Sequence, residues 1–325
     1  RRVYAYIDVS ILYGRSWHYR TLWLDYARRI KYSWWGLPVP IVDMLTQRGC
    51  PWRCKFCCGP GEQNLYTIPH KDGLRGFKFK FRSVENVIEE LQELYNKWKF
   101  KSIVFSDDEF LIRPKWVKEF CQKMHSYGFV EKGIKWWAAV RADVICNFEE
   151  LIEEMRDAGL YMISIGFESF SDRMLEWMDK GTTTQQNWKA VEICRNLNLK
   201  IFGNFMFGLP YSDGKWYLKE DFLTFKAIFK IKPDVCSTSY FQAIPGSRFF
   251  DWFTKKKLIK DTSFSVFRTE GIGNIKGVDY KILQRLRRMI NPPPTPYKRI
   301  TSAISRRLPN RLGNTFDRVF SKKLR

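Results

Sequence analysis

Three cysteines of the chain stand at a spacing suited to a metal cluster. The segment RGCPWRCKFC at residues 48–57 places Cys50, Cys54 and Cys57 in the pattern C-x3-C-x2-C. Three thiolates on one short loop can each bind a different iron of a [4Fe–4S] cluster, which leaves the fourth iron without a protein ligand. An open iron can bind a small molecule while the cluster also carries an electron. The spacing therefore predicts redox chemistry at three metal-ligating cysteines.

Structural zinc is the alternative for these cysteines, and it normally needs four protein ligands. Cys58 directly follows Cys57 and is poorly placed to complete a tetrahedron, while His70 has no second Cys or His near it. The spacing therefore favours iron and sulfur. The remaining cysteines are expected to be small buried residues; they are Cys58, Cys121, Cys146, Cys194 and Cys236.

Polar residues follow three apolar segments that have the character of strands. They are Ser106, Asp107, Asp108, Arg141 and Glu168. Short acceptors can hold an ammonium group, and the planar guanidinium of an arginine can pair with a carboxylate. An acid directly after an apolar strand is seldom buried without a partner. The alternative for Asp107 and Asp108 is an ordinary acidic helix cap or loop. The alternative for Arg141 is a structural salt bridge to Asp143.

Six short apolar segments must position these residues. They are residues 41–46, 102–107, 134–140, 161–167, 200–207 and 234–241. Each is rich in β-branched or aromatic residues and nearly continuous in apolar character, which is typical of parallel strands covered on both faces. Helical segments separate them, with predicted starts at Ser83, Pro114, Asn147 and Thr184. Six β-then-α units predict an α/β fold with a parallel sheet, open or curled into a barrel, and a site at its carboxyl edge.

The cysteine pattern with Phe56 before the third cysteine, after the first of six β/α units, resembles the radical S-adenosylmethionine (SAM) superfamily. The resemblance covers about residues 38–260 and implies a partial (β/α)6 barrel. It also implies that the amino and carboxylate groups of SAM chelate the open iron. One electron then splits SAM into methionine and a 5′-deoxyadenosyl radical, which takes hydrogen from the substrate.

Further motifs resemble the cobalamin-binding class of that superfamily. They are FSDDEF (105–110), GFES (166–169), KGTT (180–183) and GNFMFGLP (203–210). Members of the class usually carry a cobalamin domain before the barrel, and the 40 residues ahead of the first strand are too few for one. We therefore expect either cobalamin from a missing domain or a partner, or a member that works without it.

The resemblance also implies roles for single residues. Ser106, Asp107 and Asp108 would contact the amino group of SAM, with Asp107 favoured over Asp108, and Arg141 would pair with its carboxylate. Glu168 would accept from ribose hydroxyls or orient Arg141. Phe56 and Phe205 would lie by the adenine, with core packing as the alternative for Phe205. Gly208 would permit close approach of the backbone, and the PGS at residues 245–247 is either the end of the barrel or a plain turn.

The charge is concentrated at the two ends of the chain. Of the net +22, residues 1–35 hold seven basic and two acidic residues (+5), and residues 298–325 hold nine and one (+8), which leaves +9 for the other 262. We predict a basic, Trp-rich extension (1–37), the core (38–260), a helical segment (261–291) and a basic amphipathic tail (292–325). The tail contacts an anionic membrane or, less favoured, nucleic acid, or it is simply solvated. The few cysteines and the lack of a secretory signal predict a cytoplasmic protein, possible membrane contact being peripheral.

These features lead to three hypotheses of function. The first is a radical SAM enzyme that methylates, cyclises or oxidises an unreactive C–H bond of a small molecule. The resembling class acts on lipids, tetrapyrroles, isoprenoids and antibiotic-like metabolites, and the aromatic content favours a lipidic substrate; flavodoxin or ferredoxin would be the reductant. The second is a tRNA-modifying enzyme of the methylthiotransferase type. The third is a non-catalytic iron–sulfur or nucleic-acid-binding protein.

Overall fold

The computed structural model describes residues 36–58, 80–260 and 273–290. Its strands are β1 (Ile41–Met44), β2 (Gln47–Arg48), β3 (Lys80–Phe81), β4 (Ser102–Phe105), β5 (Lys135–Ala139), β6 (Leu160–Glu168), β7 (Lys200–Phe207) and β8 (Val235–Tyr240). Six of them form one parallel sheet in the order β1-β4-β5-β6-β7-β8, while β2 and β3 pair antiparallel. All six predicted strands are present, which confirms the predicted α/β class.

Helices follow the strands of the large sheet. They are α1 (Val84–Trp98), α2 (Pro114–Ser126), α3 (Ala142–Asn147), α4 (Glu149–Asp157), α5 (Asp172–Trp177), α6 (Thr184–Asn196), α7 (Leu218–Ile231), α8 (Arg248–Lys255) and α9 (Tyr280–Ile290). The predicted starts at Ser83 and Pro114 are confirmed, since the Ser83 hydroxyl accepts from the Asn86 N–H at 3.2 Å and Pro114 is the first helical residue. None of the described helices combines the length and apolar character needed to cross a membrane.

Two predicted helix starts were wrong. Thr183 caps α6, because its hydroxyl accepts from the Gln186 N–H while the Gln186 side chain accepts from the Thr183 N–H. Thr184 is instead the first helical residue and donates to Asp172. Asn147 ends α3, and α4 begins after Phe148, which provides no capping side chain.

The large sheet has two chemically different faces. On one face, Phe105 and Trp136 pack against Phe120 of α2, with ring centroids 5.4 and 5.7 Å apart. We call the opposite face the inner face. Strand residues in register share a face, and the inner face therefore carries Asp43, Trp137, Ser164, Phe202 and Asn204. Polar side chains thus lie among aromatic ones on this face.

The predicted core, residues 38–260, holds all six strands of the sheet, and α9 lies within the predicted helical segment 261–291. The predicted basic tail lies outside the described residues, as do His70 and nearly all of the N-terminal extension.

Candidate functional site

The loop that carries the three cysteines is fixed at the carboxyl end of the sheet by two backbone hydrogen bonds. The Lys55 N–H donates to the Met178 carbonyl at 2.8 Å, and the Phe249 N–H donates to the Lys55 carbonyl at 2.9 Å. Met178 follows β6 and α5, and Phe249 lies in α8 after β8. Segments that follow two different strands therefore position this loop.

The three predicted ligands come together within this loop. Burial, with smaller contributions from the nearby Glu109, Cys54 and Cys57, raises the pKa of the Cys50 thiol to about 11. Neighbouring thiolates repel one another, and a cationic metal centre that binds them removes this repulsion. Among the described residues, no three His, Cys, Asp or Glu side chains converge on a single ion. Three thiols on one short loop suit a cluster that takes one thiolate per iron, and the assignment of these cysteines as ligands stays a prediction.

The guanidinium of Arg141 lies beside the cysteine loop. Its Nη1 is 3.7 Å from Sγ of Cys54, and its carbon lies 4.6 Å from the ring centroid of Trp52. Nε and Nη2 donate to the Asp143 carboxylate at 2.9 and 3.1 Å, and Nη2 also donates to the Lys180 carbonyl. The alternative predicted from sequence, a salt bridge to Asp143, is therefore present. The predicted contact of Arg141 with the SAM carboxylate stays a prediction.

Glu168 ends β6 in an unusual backbone conformation. Its φ is +59°, and the register with β7 shifts between Gly166 and Glu168. A non-glycine residue adopts positive φ where its surroundings enforce it, often at functional sites. Its Oε1 lies 3.5 Å from Nζ of Lys180, and that amine is 5.7 Å from the ring centroid of Phe56. Glu168 and Phe56 are thus brought together around Lys180, which sequence reasoning missed although it begins the KGTT motif.

Both carboxylate oxygens of Asp107 have partners within the chain. Oδ1 accepts from the backbone N–H groups of Thr46 and Gln47 at 2.8 and 2.9 Å, and Oδ2 accepts from the Thr46 hydroxyl at 2.8 Å. Burial raises the pKa of Asp107 to about 6. This carboxyl therefore fixes the chain just before the cysteine loop, and its contact with SAM stays a prediction.

The neighbours of Asp107 are exposed. Asp108 and Ser106 both lie at the surface, and the Ser106 hydroxyl donates to the Asp43 carboxylate at 2.8 Å. Ser106 thus stands at the inner face of the sheet, at the same carboxyl end as the cysteine loop.

Phe205 and Gly208 take different places at the end of β7. The Phe205 ring is fully buried and stacks on Phe167 with centroids 5.5 Å apart. It lies on the sheet face opposite the inner face, so the structure favours the core-packing alternative over a contact with adenine. Gly208 has a φ of +79°, and its N–H donates to the Asp221 carboxylate at 3.0 Å.

Asp221 is a second residue that sequence reasoning missed. Its carboxylate also accepts from Nε1 of Trp216 at 2.7 Å, and burial raises its pKa to about 7. It lies in α7, thirteen residues after Gly208. A buried acid of this kind fixes the backbone after β7, and its position within an apolar helix was the signal available in the sequence.

Glu109 was missed as well, although it belongs to the FSDDEF motif. It is almost fully buried, and its Oε2 accepts from the Arg141 N–H at 2.9 Å while Oε1 accepts from the Leu111 N–H at 3.2 Å. Burial raises the pKa of Glu109 to about 8. Glu109 therefore positions the backbone of Arg141 beneath the cysteine loop.

The inner face offers a surface for a bound molecule next to this loop. Nε1 of Trp137 is buried without an acceptor among the described residues. The Trp137 and Phe202 rings meet edge to face at 6.2 Å, and the Asn204 amide donates to the Ser164 hydroxyl at 2.9 Å. A buried donor without a partner is costly, so this face suits a ligand that brings an acceptor.

A parallel α/β sheet with three cysteines of this spacing at its carboxyl edge, beside buried charged groups, is typical of a protein that holds an iron–sulfur cluster where α/β enzymes bind their ligands. The sequence model of the radical SAM superfamily matches residues 44–218, which is more than half of the chain. The chain therefore belongs to the radical SAM superfamily. A [4Fe–4S] cluster and SAM are accordingly its cofactors.

Several curated proteins resemble this chain. An uncharacterized methyltransferase of Pyrococcus horikoshii is 28% identical over 74% of this chain and 47% of its own length. An anaerobic magnesium-protoporphyrin IX monomethyl ester cyclase of Cereibacter sphaeroides is 27% identical over 66% of this chain and 32% of its own. A bacteriochlorophyllide d C-12(1)-methyltransferase of Chlorobaculum tepidum is 29% identical over 65% and 44%. The chain thus spans less than half the length of these relatives.

Solved structures share the fold. TsrM from Kitasatospora setae, a radical SAM methyltransferase with cobalamin and a [4Fe–4S] cluster bound, superimposes with a TM-score of 0.56 at 17% identity. The match covers 74% of this chain and 40% of that one. Cobalamin-dependent OxsB, with aqua-cobalamin and SAM bound, gives a TM-score of 0.52 at 19% identity over 67% and 36%. The predicted partial barrel is therefore confirmed.

Proposed function

We propose that the chain forms the catalytic part of an enzyme that cleaves SAM reductively and functionalises an unreactive C–H bond of a small molecule, with methyl transfer to carbon as the outcome. One observation carries this proposal. The cysteine loop, Arg141 and the Glu168–Lys180 pair all meet at the carboxyl end of the sheet, next to an inner face that has an unpaired donor. Cluster, SAM and substrate can therefore be held side by side.

The roles of the residues follow from their charge and position. Cys50, Cys54 and Cys57 hold the cluster, which supplies the electron for SAM cleavage when it is bound. Glu168 and Lys180 present opposite charges that match the ribose hydroxyls and the carboxylate of SAM.

Aromatic and backbone groups complete the SAM site. The ring and backbone of Phe56 lie beside the adenine, and the backbone at Gly208 allows close approach. Ser106 and Asp108 are exposed acceptors at the end of β4 and contact the amino group. Arg141 keeps the loop in place and screens the charge of the Cys54 thiolate.

The substrate lies against the inner face, where Trp137 and Phe202 give an apolar contact and the Asn204–Ser164 pair gives polar ones. A flat or lipidic molecule with a hydrogen-bond acceptor fits this combination. Relatives named for a protoporphyrin ester and a bacteriochlorophyllide support a substrate of this kind. Cobalamin and a reductant such as flavodoxin or ferredoxin come from outside the described residues.

Anaerobic reconstitution with iron and sulfide, followed by dithionite and SAM, tests the proposal. We expect 5′-deoxyadenosine or, with methylcobalamin added, a methylated product or S-adenosylhomocysteine. Cys54→Ala should abolish all of these products, whereas Cys194→Ala, at a buried cysteine of α6, should keep them. A reconstituted cluster that yields none of these products would contradict the proposal and favour the non-catalytic alternative.

A further inference from the structure

Helix α7 has apolar side chains on two sides. One side packs inward through buried residues such as Thr224, Phe225 and Ile228. At 100° per residue, seven other residues of the helix, four apolar and three lysines, fall within an arc of about 140° on the opposite side. We call this set the outer arc; it consists of Leu218, Lys219, Phe222, Leu223, Lys226, Phe229 and Lys230.

The apolar members of the outer arc are exposed. Leu218, Phe222, Leu223 and Phe229 have 38%, 41%, 47% and 49% of their surface accessible. Ten large apolar side chains are exposed among the described residues, and four of the ten lie on this one helix. Scattered exposed apolar residues are ordinary, but a contiguous group marks a surface that contacts something.

Aromatic contacts make this surface continuous and rigid. Phe222 stacks on the buried Phe225 at 5.6 Å, and Phe225 meets Phe229 at 5.0 Å. Trp188 of α6 extends the surface, since it is 37% exposed and lies 5.8 Å from Nζ of Lys230. The exposed rings are therefore anchored to the core through buried ones.

The charge of the outer arc has one sign. Lys219, Lys226 and Lys230 are its charged members, and Nζ of Lys226 lies 5.0 Å from the Phe222 ring centroid. The acids of the helix, Glu220 and Asp221, are buried on the other side, where they accept from Ser171 and Gly208. Nζ of Lys219 lies 3.9 Å from Oε1 of Glu220, so one of the three positive charges of the arc has a partner, and the arc has no exposed acid.

We propose that the outer arc of α7, together with Trp188, binds the surface of an anionic lipid bilayer. Exposed phenylalanine and leucine side chains enter the boundary between headgroups and acyl chains, while neighbouring lysines extend towards lipid phosphates. Lipid phosphates would supply the counter-charge for Lys226 and Lys230, which have no carboxylate within 4 Å among the described residues, and an anionic bilayer therefore fits better than a neutral surface. This surface lies in the folded core and acts independently of the basic tail and of the proposed reaction.

Co-sedimentation of the full chain with vesicles tests this surface, with phosphatidylcholine alone compared with phosphatidylcholine containing about one quarter phosphatidylglycerol. We expect binding to the anionic vesicles that weakens as salt is added. The double variant Phe222→Ser/Phe229→Ser should lower the partition coefficient about tenfold or more. Lys226→Glu/Lys230→Glu should lower it at least tenfold on anionic vesicles and leave the weak binding to neutral ones unchanged.

The matched control is Trp98→Ser/Phe148→Ser, which removes two equally exposed rings from other helix ends. It should bind vesicles like the unchanged chain, and thermal melting should show all variants folded. All variants should also form 5′-deoxyadenosine at the original rate, so failure of the reaction and failure of lipid binding are separate results. Unchanged vesicle binding by the phenylalanine variant would overturn the proposal, and loss of a dimer by that variant on gel filtration would assign the surface to a second copy instead.

Discussion

Nη1 of Arg141 lies 3.7 Å from Sγ of Cys54, the central cysteine of the cysteine loop, which we also call the cluster loop. Arg141 also donates hydrogen bonds to two other motifs. Its backbone N–H donates to Glu109, and its side chain donates to the Lys180 carbonyl. A single residue just after β5 therefore connects the FSDDEF, cysteine and KGTT motifs, through its backbone to the first and through its side chain to the other two. Their order along the chain becomes a shared position in space.

Replacing Arg141 should loosen the cluster loop. Arg141→Ala leaves the half-buried Asp143 without its partner, and we expect the apoprotein to lose about 3 kcal/mol of stability. Iron content after reconstitution should fall by half or more. Urea unfolding and iron analysis measure the two effects, with Arg156→Ala, at a partly exposed arginine, as the control that changes stability by about 0.5 kcal/mol. Full iron content in the Arg141 variant would argue against its positioning role.

Glu168→Gln should weaken SAM binding. The substitution keeps the size of the side chain but removes the charge 3.5 Å from Lys180, and a hydrogen bond to a charged group contributes about 1.5–3 kcal/mol. We expect SAM to bind the reconstituted protein at least tenfold more weakly by calorimetry. Glu176→Gln, at an exposed position of α5, should leave the affinity unchanged. Equal affinities for both variants would remove Glu168 from the SAM site.

Two neighbouring tryptophans should respond differently to the same change. Nε1 of Trp136 donates to the Ala158 carbonyl at 2.9 Å, so Trp136→Phe loses a hydrogen bond and leaves a cavity, at a cost of about 3 kcal/mol. Trp137→Phe removes a buried donor that has no acceptor among the described residues, and it should be neutral or stabilising by about 1 kcal/mol. Urea unfolding of both variants decides. Equal losses would mean that Nε1 of Trp137 has a partner in the free protein.

Asp221→Asn should remove a pH dependence of stability. Burial raises the pKa of Asp221 from 3.8 to about 7, so the folded protein favours the protonated acid. Its contribution is complete below about pH 4 and is lost as the pH rises to about 7. We expect the stability of the unchanged chain, relative to this variant, to fall by about 3 kcal/mol between about pH 5 and pH 8.

Denaturant unfolding at both pH values measures the difference for Asp221. Asp213→Asn is the control, because a hydrogen bond from the Tyr217 hydroxyl lowers the pKa of the exposed Asp213 below 3.8. Its contribution changes only below that value, so the control should follow the unchanged chain between the two pH values. A constant difference for Asp221→Asn would place an ionised carboxylate at this position throughout.

The strands could be predicted from the sequence because their signal is local, and the predicted ligation by the cysteines depends on an equally local spacing. Continuous apolar segments mark buried parallel strands, and the spacing of Cys50, Cys54 and Cys57 lies within eight residues. Helix caps were less certain, since Thr183 and Thr184 are adjacent acceptors of the same kind. The Gln186 N–H donates to the Thr183 hydroxyl, which makes Thr183 the cap.

The structural roles of residues with distant partners could not be predicted in this way, even where the residue itself was a candidate. Glu109 and Asp107 are both acids of one motif, but their partners, Arg141 and Thr46, become neighbours only once the strands are paired. The face of Trp137 likewise depends on a register that includes an irregularity next to Trp136. The local sequence pattern predicts which residue lies at the end of a strand. The register of the sheet determines which other residues its side chain contacts.

The backbone of Lys55 bonds on one side to Met178 and on the other to Phe249, which stand 71 residues apart in the chain. The cluster loop cannot detach unless both of these bonds open, so it should exchange its amide hydrogens with solvent together with the segments after β6 and β8 as one cooperative unit. Anything that frays α8 would then release the cysteines as well. Cluster retention becomes a direct report on whether the last β/α unit is closed.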